Sequence, residues 1–385
     1  MERYAAFMLI LAVILAIFVY GMVAATLGTI LPNLSDRFGL TPSQNGSIAF
    51  AQALGLILAS LAVGPLLDAE GKKVGLVLGL SLVLIALATL PRSTGYKTLI
   101  LLMFVMGMGG GIVITGANAL ASDVSGGHRG SVLNLVNLFF GLGGFVTPFL
   151  AANLFGKNWV RLCYSIAGFT AVTLAFEIAT SMPAPVGAHS SSFADAGHLL
   201  QQPVLWLLGS FLFLYITCEV GVWNWLPQHL IAQGIPKSRA LNVLSVGFAL
   251  GLLFGRVLVS PVLIHVPATA VLLFASAAMA VTTYFMLHTR KPGVALALVA
   301  MAGVSMAPVF PTTLAVAGDL FPAATGTAIG FAVTCGWIGL AVSSRMIGGI
   351  AGGDTLRLHK ALLVIPASAV LMVLVSLVMI ALHTT

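Results

Sequence analysis

Gly64-Pro65-Leu66-Leu67-Asp68-Ala69-Glu70-Gly71-Lys72-Lys73 is the stretch that decides the fold. It joins two long apolar runs. It places an acid at the end of one helix, a turn glycine at Gly71, and two cations at the start of the next helix. Only 7% of the chain is charged, so charges this dense stand out.

Composition supports the same picture. The chain has 385 residues, 59% of them hydrophobic, with mean hydropathy +1.09. A soluble core cannot use that much apolar surface. Runs of about twenty apolar residues each suffice to cross the hydrocarbon layer as a helix. Twelve such runs are expected, at 5–31, 43–67, 73–90, 98–122, 130–155, 160–181, 203–230, 239–263, 268–288, 293–318, 323–350 and 359–382. The first continues to Leu31 without a small-residue cleavage site, so it reads as a span rather than a signal peptide. Cys163, Cys218 and Cys335 lie inside apolar runs without metal-ligand spacing. There is no P-loop, no HExxH and no nucleophile–base cluster, so neither an enzyme nor a phosphate-driven pump is expected. No cofactor, metal or nucleic-acid partner is called for.

The long polar break at 182–202 is rich in Pro, Ser and Gly and reads as a flexible linker. It separates an N-terminal six-helix bundle, 1–181, from a C-terminal one, 203–385. The loop pattern G-x-L-x-D-x-x-G-[RK]-[RK] resembles the cytoplasmic loop between helices 2 and 3 of the major facilitator superfamily. The resemblance implies an all-α membrane protein with twelve transmembrane helices in two bundles and solute held between the halves. It also implies a multi-pass monomer in the plasma (inner) membrane, with linker and both termini cytoplasmic. The loops then placed outside carry Arg37, Arg92, Lys97, Lys157, Arg161, Lys237, Arg239, Arg290, Lys291, Arg357 and Lys360. The inner side carries Arg3, Lys72, Lys73 and Arg129, which reverses the usual positive-inside bias.

Thr115-Gly-Ala-Asn118, the loop with Arg129, and Leu133-Asn134-Leu-Val-Asn137 resemble the branch of fucose–proton symporters and sodium-dependent glucose transporters. Phe310-Pro311-Thr312-Thr313 and the stretch from Phe213 through Glu219 to Trp225-Leu-Pro are similar to it too. The branch's coupling carboxylates would fall at Gly28 and Ile114, where no proton carrier exists. The resemblance therefore implies sugar-type recognition without that proton chemistry.

Polar side chains in lipid are costly, so they face a cavity or a partner. Gln52, Asn118, Asn134 and Asn137 are the candidates for solute contact in the N-terminal half. Amides both donate and accept, as sugar hydroxyls require, but interhelical glue explains them equally well. Asn134 and Asn137, three apart, share a helix face. Glu219, Trp223, Asn224, Gln228 and Trp337 are the candidates in the C-terminal half. Aromatic faces can stack on sugar C–H faces while amides and acids take the hydroxyls. Glu219, alone deep within a span, is the candidate for coupling to a proton or sodium ion. The family resemblance implies that Asp68, Lys72 and Lys73, with Arg129, latch helix ends and gate the transporter, and Asp319 and Arg256, which end spans 10 and 8, are expected to form a second latch that echoes Asp68 and Arg129. The expected function is secondary transport, by alternating access, of a small polar solute, a monosaccharide first. The alternatives are a sugar-acid or other organic-anion carrier, a uniporter, and a drug–proton antiporter of the same fold.

Overall fold

A computed structural model describes residues 2–155, 158–184, 197–236, 240, 243–289, 291–351 and 355–384. Residues 185–196 of the expected linker, and Lys157, Lys237, Arg239 and Arg290, lie outside the described residues. Among the described residues every regular element is helical. Among the described residues eleven segments are long and apolar enough to cross a membrane, and Val246–Val262 is a shorter apolar helix at the place of the expected eighth span.

The helices are α1 (Glu2–Phe38), α2 (Pro42–Glu70), α3 (Lys72–Thr89), α4 (Tyr96–Val124), α5 (Arg129–Asn153), α6 (Trp159–Ala179) and α7 (Pro203–Ala232). A π-helical stretch, Val243–Ala249, leads into α8 (Leu250–Val262). Then come α9 (Ala268–His288), α10 (Pro292–Met306), α11 (Val309–Leu320), α12 (Thr325–Ala351), α13 (Thr355–Leu362) and α14 (Val364–Thr384).

Local chemistry sets the ends. α1 outruns its apolar stretch and stops only before Gly39, which takes φ 60°. α2 starts on a capping box: the Thr41 hydroxyl accepts from the Gln44 amide, and the Gln44 side chain accepts from the Thr41 amide. Gly71, at φ 93°, closes α2 and opens α3 without a pause. The expected tenth span is broken between α10 and α11 at Pro308, whose ring nitrogen has no hydrogen to donate to the preceding turn.

The chain forms two compact units. The first comprises Met1–Gly126, Val136–Leu199 and Phe321–Thr334. α4 is its centre and packs on α1, α2 and α3. Contact with α2 is backbone to backbone, because a methyl group at Gly107 would run into the Gln52 carbonyl, and one at Gly55 into that of Phe104. Small residues give helices this close approach in an apolar medium, where van der Waals contact holds them together. The second unit comprises Gly127–Leu135, Leu200–Leu320 and Cys335–Thr385. In it α14 packs on α7 and α9, and α10 packs on α8 and α9. α5 and α12 thus each give their first turns to one unit and their remainder to the other.

Candidate functional site

In the first unit two amides meet at depth. Asn137 on α5 donates its Nδ2 to Asn118 Oδ1 on α4 at 2.7 Å, and Asn118 Nδ2 donates to its own helix at the Ile114 carbonyl at 2.8 Å. Asn118 is 0% and Asn137 2% exposed. Asn118 thus accepts from Asn137 and donates to its own helix backbone, and hydrogen bonds of this kind let buried amides sit in an apolar bundle. Gln52, half-buried on α2, lies beside Gly107 of α4 through its backbone.

The same unit contains the Asp68 network. α12 begins at Thr325, so the amides of its first turn have no intrahelical acceptor. Asp68 supplies one. Its Oδ1 accepts from the Gly326 amide at 2.8 Å, and its Oδ2 from both the amide and the hydroxyl of Thr327, each at 2.8 Å. A negative charge there also faces the positive end of the helix dipole. Gly326 is needed at that point, because a Cβ would stand 2.8 Å from Asp68 Oδ1. Lys72 bridges Asp68 at 3.3 Å and Asp123 at 3.0 Å, and the Thr325 hydroxyl donates to Asp123 at 2.9 Å. Lys73 turns away and donates to the carbonyls of Ile178 and Thr180 at the end of α6, at 2.7 and 2.9 Å.

In the second unit Arg129, at the start of α5, pairs with Asp319, at the end of α11, at 2.6 Å. The expected pairings were Asp68 with Arg129 and Asp319 with Arg256, and the structure corrects both. Asp68 is taken up by backbone amides and Lys72, and Arg129 by Asp319. Arg256 is buried within α8, where its electrostatic neighbours are Tyr215 and Glu219.

Asn134 belongs to this second unit, not with Asn137. Its Nδ2 donates to Thr312 Oγ1 on α11 at 3.0 Å and to the Gly130 carbonyl at 2.8 Å. Glu219 lies mid-way along α7, with Tyr215, Trp223 and Arg256 as its polar neighbours. The Trp223 ring meets Phe248 edge-on at 5.2 Å. Asn224 and Gln228 are exposed, whereas Trp337 on α12 keeps a buried indole N–H that has no hydrogen-bond partner in the structure. Glu219, Trp223 and Arg256 thus form one neighbourhood, while Asn134 forms another.

The sequence reading missed the partners in these networks: Asp123, Thr325, Gly326 and Thr327 for the Asp68 latch, and Thr312 for Asn134. One signal was available. Asp123 precedes Gly130 by the interval at which Asp319 precedes Gly326, so the turns before α5 and α12 share one Asp–Gly spacing. Aligning them places Arg129 against Thr325, the two residues that pair with Asp319 and Asp123 respectively.

Residues 13–344 match the family description Major Facilitator Superfamily. The Bypass of stop codon protein 6 of Saccharomyces cerevisiae is 25% identical over 277 residues, 64% of this chain and 55% of that protein. The glucose/mannose transporter GlcP of Bacillus subtilis is 25% identical over 357 residues, 89% of this chain and 87% of that protein. Among solved structures, the fucose:proton symporter FucP of E. coli superposes with TM-score 0.83 at 16% identity, over 95% of this chain and 97% of that one. With a family match spanning most of its length, the chain belongs to the Major Facilitator Superfamily, a multi-pass membrane protein of the transporter fold.

Proposed function

We propose that this chain is a secondary active transporter that moves a small polar solute, a monosaccharide by preference, by alternating access. It works as two six-helix halves joined through 182–202, as a monomer in the plasma membrane with both termini on the cytoplasmic side. The observation that carries the reading is the buried Asn118–Asn137 pair. An amide pair at 0% and 2% exposure in so apolar a chain presents donors and acceptors that hydroxyl groups of a sugar could take over as the helices part. The likeness to a protein named a glucose/mannose transporter over 89% of the chain supports the same class of solute. Gln52, Glu219, Trp223, Asn224, Gln228 and Trp337 complete the proposed set of solute contacts, and Asn134 serves as a helix contact through Thr312.

Coupling is assigned to Glu219. An ionised carboxyl at that depth needs a countercharge, and Arg256 is the cation beside it. A proton or a sodium ion arriving at Glu219 would replace Arg256 as its partner. The direct test is a thermal-shift screen of the purified protein against sugars, sugar acids and lipophilic cations. Stabilisation by one or a few neutral sugars is expected. Stabilisation by sugar acids or lipophilic cations alone would overturn the assignment.

A further inference from the structure

We propose that the second unit carries a binding site for an anionic phospholipid, with the acyl chain in a groove between α9 and α14 and the phosphate at the end that carries His288 and Lys360. The groove has a volume of about 450 Å³ and is walled by Tyr284, Phe285, Leu363, Pro366, Ala367 and Val370. It exists because a small residue on each helix, Ala280 and Ala367, leaves a hollow between larger neighbours. Tyr284, Phe285 and Val370 are 48%, 54% and 51% exposed, so the hollow opens outward along apolar membrane-length helices.

One end of the groove runs into a group of histidines and the cation Lys360. Tyr284 leads into His288, whose ring lies 4.3 Å from its own, and His288 meets His359 edge-on at 5.1 Å. His288 Nδ1 lies 2.7 Å from the Tyr284 carbonyl. A carbonyl only accepts, so Nδ1 carries the hydrogen, and Nε2 is the ring nitrogen left to a ligand. Lys360, exposed, precedes the groove residue Leu363 by one helical turn. It belongs to α13, a short helix with Leu358, Ala361 and Leu362 buried and Arg357 and Lys360 exposed, the pattern of a segment lying at a membrane interface. Among the described residues His229 also packs here, stacked on His359 at 5.3 Å. Asp354 is the one acid close in sequence, and it lies outside the described residues. Apolar walls ending in Lys360 and His288, at the ends of membrane-length helices, match a lipid phosphate rather than a free one. The acyl chain fills the hollow, and the phosphate takes the charges.

The test uses the purified full chain with phosphatidylglycerol and phosphatidylcholine of equal chain length, and reads lipid retention by native mass spectrometry. Phosphatidylglycerol should be retained roughly fivefold more per cation engaged. Lys360→Gln with His288→Gln, both exposed positions, should abolish that preference and leave phosphatidylcholine retention unchanged. Ala367→Leu, which fills the groove, should reduce retention of both lipids, and glycerophosphoglycerol without acyl chains should not compete. Equal retention of the two lipids by the unaltered protein would overturn the proposal without recourse to any variant. So would a preference that survives the double substitution.

Discussion

Asp68 Oδ2 accepts two hydrogen bonds from Thr327, one from its amide and one from its hydroxyl, both at 2.8 Å. Together with the Gly326 amide on Oδ1, this makes a residue at the end of α2 the N-terminal cap of α12. A cap normally comes from the residue just before its helix. Here it comes from a distant part of the sequence, so capping and holding the two helices together are one interaction.

Asp68→Asn should therefore loosen this junction. An asparagine keeps one acceptor oxygen, sets an NH2 against the other amide and drops the attraction to Lys72. The loss should be about 1–3 kcal/mol of the junction's closure. In a background with Cys163, Cys218 and Cys335 replaced, a cysteine at Ser122, buried at the end of α4, reports opening. Its labelling by a water-soluble maleimide should speed up in Asp68→Asn. An unchanged rate would show that the cap does not hold the junction.

The Arg129–Asp319 pair should behave differently. Its side chains are 22% and 57% exposed, and exposed ion pairs contribute about 0–1 kcal/mol. Arg129→Ala, Asp319→Ala and the double variant form a cycle that isolates the pair. A coupling energy within that range, falling with added salt, is expected. A large, salt-insensitive coupling would make this pair the stronger latch.

Asn137→Ala should weaken sugar affinity roughly five- to a hundred-fold, the worth of about 1–3 kcal/mol at a buried polar contact. Because Asn137 also donates to Asn118, it should lower the melting temperature too, leaving Asn118 Oδ1 without that donor. Isothermal titration beside a melting curve separates the effects. A lower melting temperature with unaltered affinity would reduce the pair to helix glue.

Glu219→Gln keeps shape and hydrogen bonding but removes the titrating charge opposite Arg256. Exchange of labelled sugar across liposomes should persist, whereas accumulation driven by a proton or sodium gradient should disappear. Accumulation that survives the substitution would move the coupling site elsewhere.

The spans were legible because apolar runs of membrane length have few alternatives. Their ends were less so. The polar turn after Leu31 remains helical until Gly39 permits a stop, and Pro308 breaks a run that hydropathy reads as continuous. Asp68 stood out because charge is scarce and its loop resembles a known latch, yet beside Lys72 and the Thr327 hydroxyl its partners are backbone amides, which no residue letter announces. Asn134 and Asn137 do lie on one side of α5. A separation of three still turns them about 60° apart on a helix of 3.6 residues per turn. That offset is enough for one to reach Thr312 and the other Asn118.

Sugar counterflow in proteoliposomes of the unaltered protein tests the central claim most directly. Vesicles loaded with unlabelled D-glucose, D-mannose or L-fucose should take up the same labelled sugar transiently above equilibrium, with saturation and with preference for one stereoisomer. Counterflow absent for every neutral monosaccharide, in vesicles where the protein is shown to be folded and inserted, would contradict the account.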